Sequence, residues 1–210
     1  MGIISSISGR KKNPMDSVMR EIAKLIENEE YQNDQLNEFI KEAVINGESV
    51  DSLPGATGPF GFDKDNPIPA NGPIGEIAYL SRLEIKGEQL LFHRIGAVGT
   101  IDVFEAVTFS GSSWHIFFMD FYHPRRSRLA PEGFRIAQTL KQFSGFNKYC
   151  QNFPYDFPEK KASKDNSGLS LAYIALSEIS QQLDTQAFKR SIAHNAKIEI
   201  LKEMLTSCLS

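Results

Sequence analysis

The sequence predicts an α+β fold, a four-stranded antiparallel meander covered by helices from both ends of the chain. Three observations carry this. Apolar residues recur at helical spacing near both termini. Four strand-like runs sit between them, joined by short glycine-containing turns. The fourth run, Trp114-His115-Ile116-Phe117-Phe118-Met119-Asp120-Phe121, is apolar on both faces, as in a strand covered from two sides.

Residues 1–13 read as a flexible tail and 14–210 as a single domain. In the tail, Met1-Gly2-Ile3-Ile4-Ser5-Ser6 fits an N-myristoylation pattern, with Arg10-Lys11-Lys12 as a basic second signal; a frayed terminus is the plainer reading. Asn13-Pro14 opens the first helix, with asparagine as cap and proline in the first turn. Met15, Val18, Met19, Ile22, Leu25 and Ile26 then line one face. The pattern breaks near Asn28, resumes at Leu36 and stops at Asn46-Gly47, so 14–47 is expected to be a helical hairpin. From Met15 to Asp51 there are ten acidic and three basic residues, a local −7 that suits a solvated face or a docking surface.

Residues 47–75 hold five of the ten prolines and six glycines, which neither a helix nor a central strand tolerates. A stretch this long is either functional or pinned to the core, and Phe60, Phe62 and Ile68 suggest pinning. The sheet is expected over 76–122, with runs at 76–85, 88–95, 100–109 and 113–122. Lys86-Gly87 and Gly111-Ser112 fit two-residue hairpin turns. The aromatic-rich segment that follows is expected to lie against the domain, with a short helical turn near Gln138, and 159–166 is the best candidate for a boundary. Helices close the chain over 168–209, one marked by Leu171, Ile174 and Ile179 and one capped at Asp184-Thr185.

Composition excludes several function classes. A net charge of −3 with 23% charged residues argues against a dedicated nucleic-acid binder. No apolar run reaches the roughly 18 residues of a membrane span, and no signal peptide is evident. Cys150 and Cys208 form no framework and read as free thiols, so a cytoplasmic setting is expected. No Walker loop, dinucleotide fingerprint, zinc-protease motif or nucleophile elbow is present, and nothing calls for a cofactor or a metal.

Two places remain where chemistry could sit. A two-residue turn at Gly111-Ser112 sets Glu105 opposite Phe118 and makes Glu105 and Asp120 diagonal neighbours on one face, with Asp102 and His123 diagonal on the other. Two carboxylates in apolar surroundings can share a proton or hold a cation; they can equally be satisfied by Arg82, Arg94 or an arginine from the later loop. The second place is Tyr122-His123-Pro124-Arg125-Arg126-Ser127-Arg128. Between Arg125 and Lys148 six basic residues face one acidic residue. His123, Arg125, Arg126 and Arg128 are therefore ligand-binding candidates for an anionic ligand or an acidic protein partner, unless the arginines pair with the acidic N-terminal helices. His93, His115 and His194 are scattered and imply no triad.

Across residues 66–133, the segments NPIPANGPIGEIAYLSRL, LLFHRIG, IDVFEAV and DFYHPRRSRLAPEGF resemble parts of bacterial proteins of similar length that carry no assigned function. The resemblance implies a bacterial cytosolic origin and names no catalytic residue. The expectation is a non-enzymatic binding or protein-interaction module. The alternative is a metal-assisted hydrolase of a phosphorylated or nucleic-acid substrate, with Glu105 and Asp120 at its centre.

Overall fold

The computed structural model describes residues 14–138, 145–146, 150–156 and 188–207. The expected tail, the helical turn after Gln138, the helix around Leu171, the Asp184-Thr185 cap and Cys208 lie outside the described residues. The N-terminal part forms α1 (Pro14–Glu27), α2 (Glu29–Asp34) and α3 (Glu38–Ile45), so the expected two-helix hairpin is three shorter helices. Asparagines divide them: Asn28 Oδ1 accepts from Tyr31 N at 2.9 Å, and Asn37 Oδ1 accepts from Ile40 N at 3.0 Å. Each satisfies an amide that the first helical turn leaves without a partner.

The rest of the described chain is β1 (Ile68–Pro69), α4 (Gly72–Arg82), β2 (Leu83–Ile85), β3 (Glu88–Val98), β4 (Ile101–Thr108), β5 (Trp114–Asp120), β6 (Phe134–Ile136), β7 (Gly145–Phe146) and α5 (Ile192–Ser207). The expected four-stranded antiparallel meander under terminal helices is not what forms. The sheet is mixed and curled into a half-barrel, with six strands in the order β1-β5-β4-β3-β2-β6. β1 pairs parallel with β5, and β7 adds parallel to the edge of β3. The helices are mostly short.

The largest departure is in the first expected strand, 76–85, most of which is α4. Pro73 sits at the start of this helix, where its missing N–H costs nothing. Eight of the eleven α4 residues are buried, Glu76, Ile77, Ala78, Tyr79 and Leu80 among them. A helix enclosed on all sides loses the polar face that reveals helical periodicity, and Ile77, Tyr79 and Leu80 then read as a strand. The Lys86-Gly87 turn does join β2 to β3, with Ile85 opposite Glu88.

The sheet's two faces meet different neighbours. One carries Asp102, Phe104, Phe117 and Met119 and looks toward α4, while α1 packs on α4 through Ile22 and Ile26. The other carries His93, Glu105 and Trp114 and meets Phe153 and α5, which buries His194, Ile198 and Leu201 at helical spacing. Between the layers, 68–72 runs beside 120–123: Ala70 N donates to Asp120 O at 2.7 Å, and Gly72 N to Phe121 O at 2.9 Å.

The end of α3 abuts the same segment. A Cβ on Gly47 would stand 2.1 Å from the Tyr122 carbonyl oxygen, a backbone atom that cannot swing aside. Gly47→Ala is therefore expected to lower stability by about 1–3 kcal/mol, measured by urea denaturation, as overpacking does elsewhere. An unchanged unfolding midpoint would mean that the α3 contact is looser than drawn.

Candidate functional site

Glu105 is 1% exposed and holds four hydrogen bonds. Arg190 binds it in a fork, Nε to Oε1 at 2.6 Å and Nη2 to Oε2 at 2.8 Å. His93 Nε2 lies 3.0 Å from Oε2 and His194 Nε2 lies 3.0 Å from Oε1. Because His93 Nδ1 accepts from the Cys150 backbone amide at 3.1 Å, its proton sits on Nε2 and is donated to the carboxylate. Burial opposes ionisation of Glu105, but the hydrogen bonds from His194 and His93 and the charge of Arg190 outweigh it and hold the pKa down to about 2. Burial holds His93 below its ordinary value, so its imidazole stays neutral.

Asp120 is not the neighbour of Glu105. The β4–β5 ladder pairs Glu105 with Ile116, Val103 with Phe118 and Asp102 with Met119. The connection is a four-residue loop closed by Thr108 N donating to Ser113 O at 3.0 Å, with the Thr108, Ser110 and Ser112 hydroxyls bonded to one another. The two-residue turn at Gly111-Ser112 is thereby overturned. Glu105 and Asp120 keep a common face, but four residues of strand, about 13 Å, separate Asp120 from the residue opposite Glu105. The expected diagonal of Asp102 and His123 does not form either: the Asp102 carboxylate belongs to Arg94, with Nη2 to Oδ1 at 2.7 Å.

The basic segment divides. His123 is buried, its Nδ1 2.7 Å from the Glu48 carbonyl and its Nε2 3.4 Å from Asp120 Oδ2, an ion-pair distance without hydrogen-bond geometry. Burial disfavours its charge, but Asp120 and the Glu48 carbonyl prevail and raise its pKa. Arg125 donates from Nη1 to Asp51 Oδ1 at 2.6 Å and from Nε to Ser49 Oγ at 2.8 Å. Arg126, 8% exposed, donates from Nε to Glu29 Oε1 at 3.1 Å and from Nη1 to the Ile26 carbonyl at 2.8 Å, closing the end of α1. Arg128 differs. Its backbone amide donates to Asp51 at 2.9 Å, while its guanidinium is exposed and has no hydrogen-bond or ion-pair partner among the described residues.

Arg82, Arg126 and Arg128 line one cleft of about 330 Å³ together with Tyr79, Glu27 and Glu29. Arg82 is held by neutral acceptors, Nε to the Ala137 carbonyl at 2.9 Å and Nη2 to the Gln138 carbonyl at 2.7 Å. Arg82 is also near enough to Arg126 to help burial depress its pKa. Three guanidinium groups thus share a space with two carboxylates, one of which is already engaged.

Sequence reasoning missed a further acid. Glu76 on α4 is 0% exposed, and among the described residues neither oxygen reaches a partner with hydrogen-bond geometry. Burial first, and then the charge of nearby Asp102, pushes its pKa well above the ordinary 4.5, so it is held as the neutral acid. The missing signal was the helix itself, since a strand at 76–85 sends Glu76 nowhere in particular. His93 and His194 were also missed as Glu105 ligands. Among the described residues no group of three or more metal-ligating side chains is gathered, and no helix is long and apolar enough to cross a membrane. Comparison with protein-family models, curated proteins and solved structures finds no match.

Two outcomes follow from the buried acids. The folded-state pKa of Glu105 is below its ordinary value, so its contribution is complete above pH 4.5 and disappears as pH falls toward 2. Glu105→Gln should cost about 3 kcal/mol at neutral pH by chemical denaturation, since it leaves Arg190 facing an uncharged amide, and the gap to wild type should narrow through that acid range. Glu76 has the opposite sign: a raised pKa in the folded state means stability present below pH 4.5 and lost as pH rises. Urea midpoints measured from pH 4 to 8 should therefore shift progressively in favour of Glu76→Gln. A pH-independent difference would show that Glu76 is ionised in the native state.

Proposed function

We propose that this chain is a non-enzymatic binding module of the bacterial cytosol, which takes an anionic group, borne by a protein partner or a small ligand, into the arginine-lined cleft beside α1 and α4. The Arg128 guanidinium carries the reading. It is exposed at a cleft that also holds Arg82, whose partners among the described residues are carbonyl oxygens, and Arg126, which binds Glu29. Guanidinium groups arranged this way favour the planar, two-oxygen geometry of carboxylate and phosphate.

Binding suits the cleft better than turnover. Tyr79 Oη donates to the Leu129 carbonyl at 2.6 Å and burial pushes its pKa up, so it is no base. The hydrolase alternative needed Glu105 and Asp120 side by side, and Glu105 is committed to four donors while Asp120 lies beside His123. The overall negative charge favours an acidic protein segment or small anion over a nucleic-acid backbone.

Calorimetric titration with inorganic phosphate, a phosphoserine peptide and a glutamate-rich peptide tests this. At least one should bind at low ionic strength, weaken as salt is added, and lose about tenfold or more in affinity to Arg128→Glu. No binding by any of the three, or binding indifferent to Arg128→Glu, removes the cleft as the site.

A further inference from the structure

A second cavity, independent of the arginine cleft, lies between the outer edge of β5 and α5. It has a volume of about 400 Å³, within the range of roughly 300–1,000 Å³ usual for small-molecule sites. Its walls are Phe62, Trp114, Ile116, Phe118, Ile200 and Leu201. Among the described residues β1 pairs with the edge of β5 only at Met119 and Asp120, and Phe118 N donates to the Gly61 carbonyl at 2.9 Å. Ile200 stays 58% exposed, an apolar surface that an occupant would cover.

The polar groups around this space have one sign. Among the described residues no aspartate or glutamate lines it, whereas Lys197 does and has no acidic partner. His194 is spent on Glu105. His115 bonds Ser113 Oγ through Nε2 at 2.7 Å, and burial, with His194 next to it, holds its pKa down to about 4, so it adds no charge at neutral pH. Trp114 keeps its indole Nε1–H buried without an acceptor among the described residues, which an incoming oxygen could supply.

We infer that this cavity binds a small carboxylic acid with an aromatic or branched aliphatic body, the body lying between Trp114, Phe118 and Ile200 and the carboxylate at Lys197. A neutral hydrocarbon would leave Lys197 unanswered, and a larger polar anion would strand the aromatic walls. The chain's single tryptophan is in the wall, so indole emission comes from a residue that borders this cavity.

Titration of the full-length protein with 4-phenylbutyrate, excited at the indole band, should give a saturable one-to-one change in Trp114 emission. The neutral counterpart 4-phenylbutan-1-ol should bind about fivefold more weakly, and Lys197→Gln should erase that preference, as expected for one exposed charge. Ile200→Trp would confuse the signal, so Ile200→Glu serves as the blocking variant; at this exposed position it should leave thermal unfolding unchanged and abolish the titration. Acid and alcohol binding equally well, or titration surviving Ile200→Glu, overturns the proposal. So does a Trp114 emission that depends on protein concentration alone, which would assign the face to a second copy of the chain.

Discussion

One buried carboxylate holds the C-terminal part of this molecule to its sheet. Glu105 stands mid-strand on β4 and is reached by His93 from β3, by Arg190 from the segment before α5, and by His194 from α5 itself. Isolated in an apolar interior it would neutralise or unfold its surroundings. With four donors it stays ionised, and the donors are tied to it in turn. Trp114 and Phe153 enclose this group, with Arg190 set over the indole ring and His93 stacked on Phe153. Such a knot is costly to half-satisfy, which makes the placement of α5 an all-or-none matter.

A β-bulge decides which acid meets which base. Across the Gly99-Thr100 turn, Val98 pairs with Ile101, a register that continued unbroken would set Arg94 opposite Glu105. The ladder shifts between Arg94 and Gly96, and His93 takes that place instead. Arg94 turns to the other face, where it meets Asp102 and comes under the influence of Glu76. One extra residue thus distributes two acids and two bases between opposite sides of the sheet. The arginines after β5 do similar work for the acidic N-terminal segment: Arg126 closes the end of α1 and binds Glu29, and Arg125 fastens 49–51, so two of the three arginines at 125–128 are spent inside the molecule.

What was legible in the sequence follows from these facts. The β5 strand could be read because its run is apolar on both faces, and the Lys86-Gly87 turn because its geometry is local. The identity of α4 could not, since a helix buried on every side has no polar stripe. Parity of the β4–β5 pairing survived the wrong turn length, as any two-residue slip preserves the face, but the neighbours changed. The Glu105 site depends on a bulge and on contacts with Arg190 and His194, some 85 to 89 residues along the chain, for which local pattern carries no information.

Where the buried polar groups are satisfied, they build; where a charge remains over, a surface is left that can bind. Gln32, Asn71 and Asn33 close on one another beneath α2, with Gln32 also donating to the carbonyls of Leu25 and Ile26. Arg125 and Asp51, and Arg126 and Glu29, each consume one cation against one anion, and His123 lies beside Asp120. Removing these pairs from the local charge leaves, among the described residues, Arg82 and Arg128 at one cleft and Lys197 at another. A basic run of residues is thus a poor guide to a ligand, since most of its charge here is structural. The informative cations are those that, among the described residues, pair with no acid.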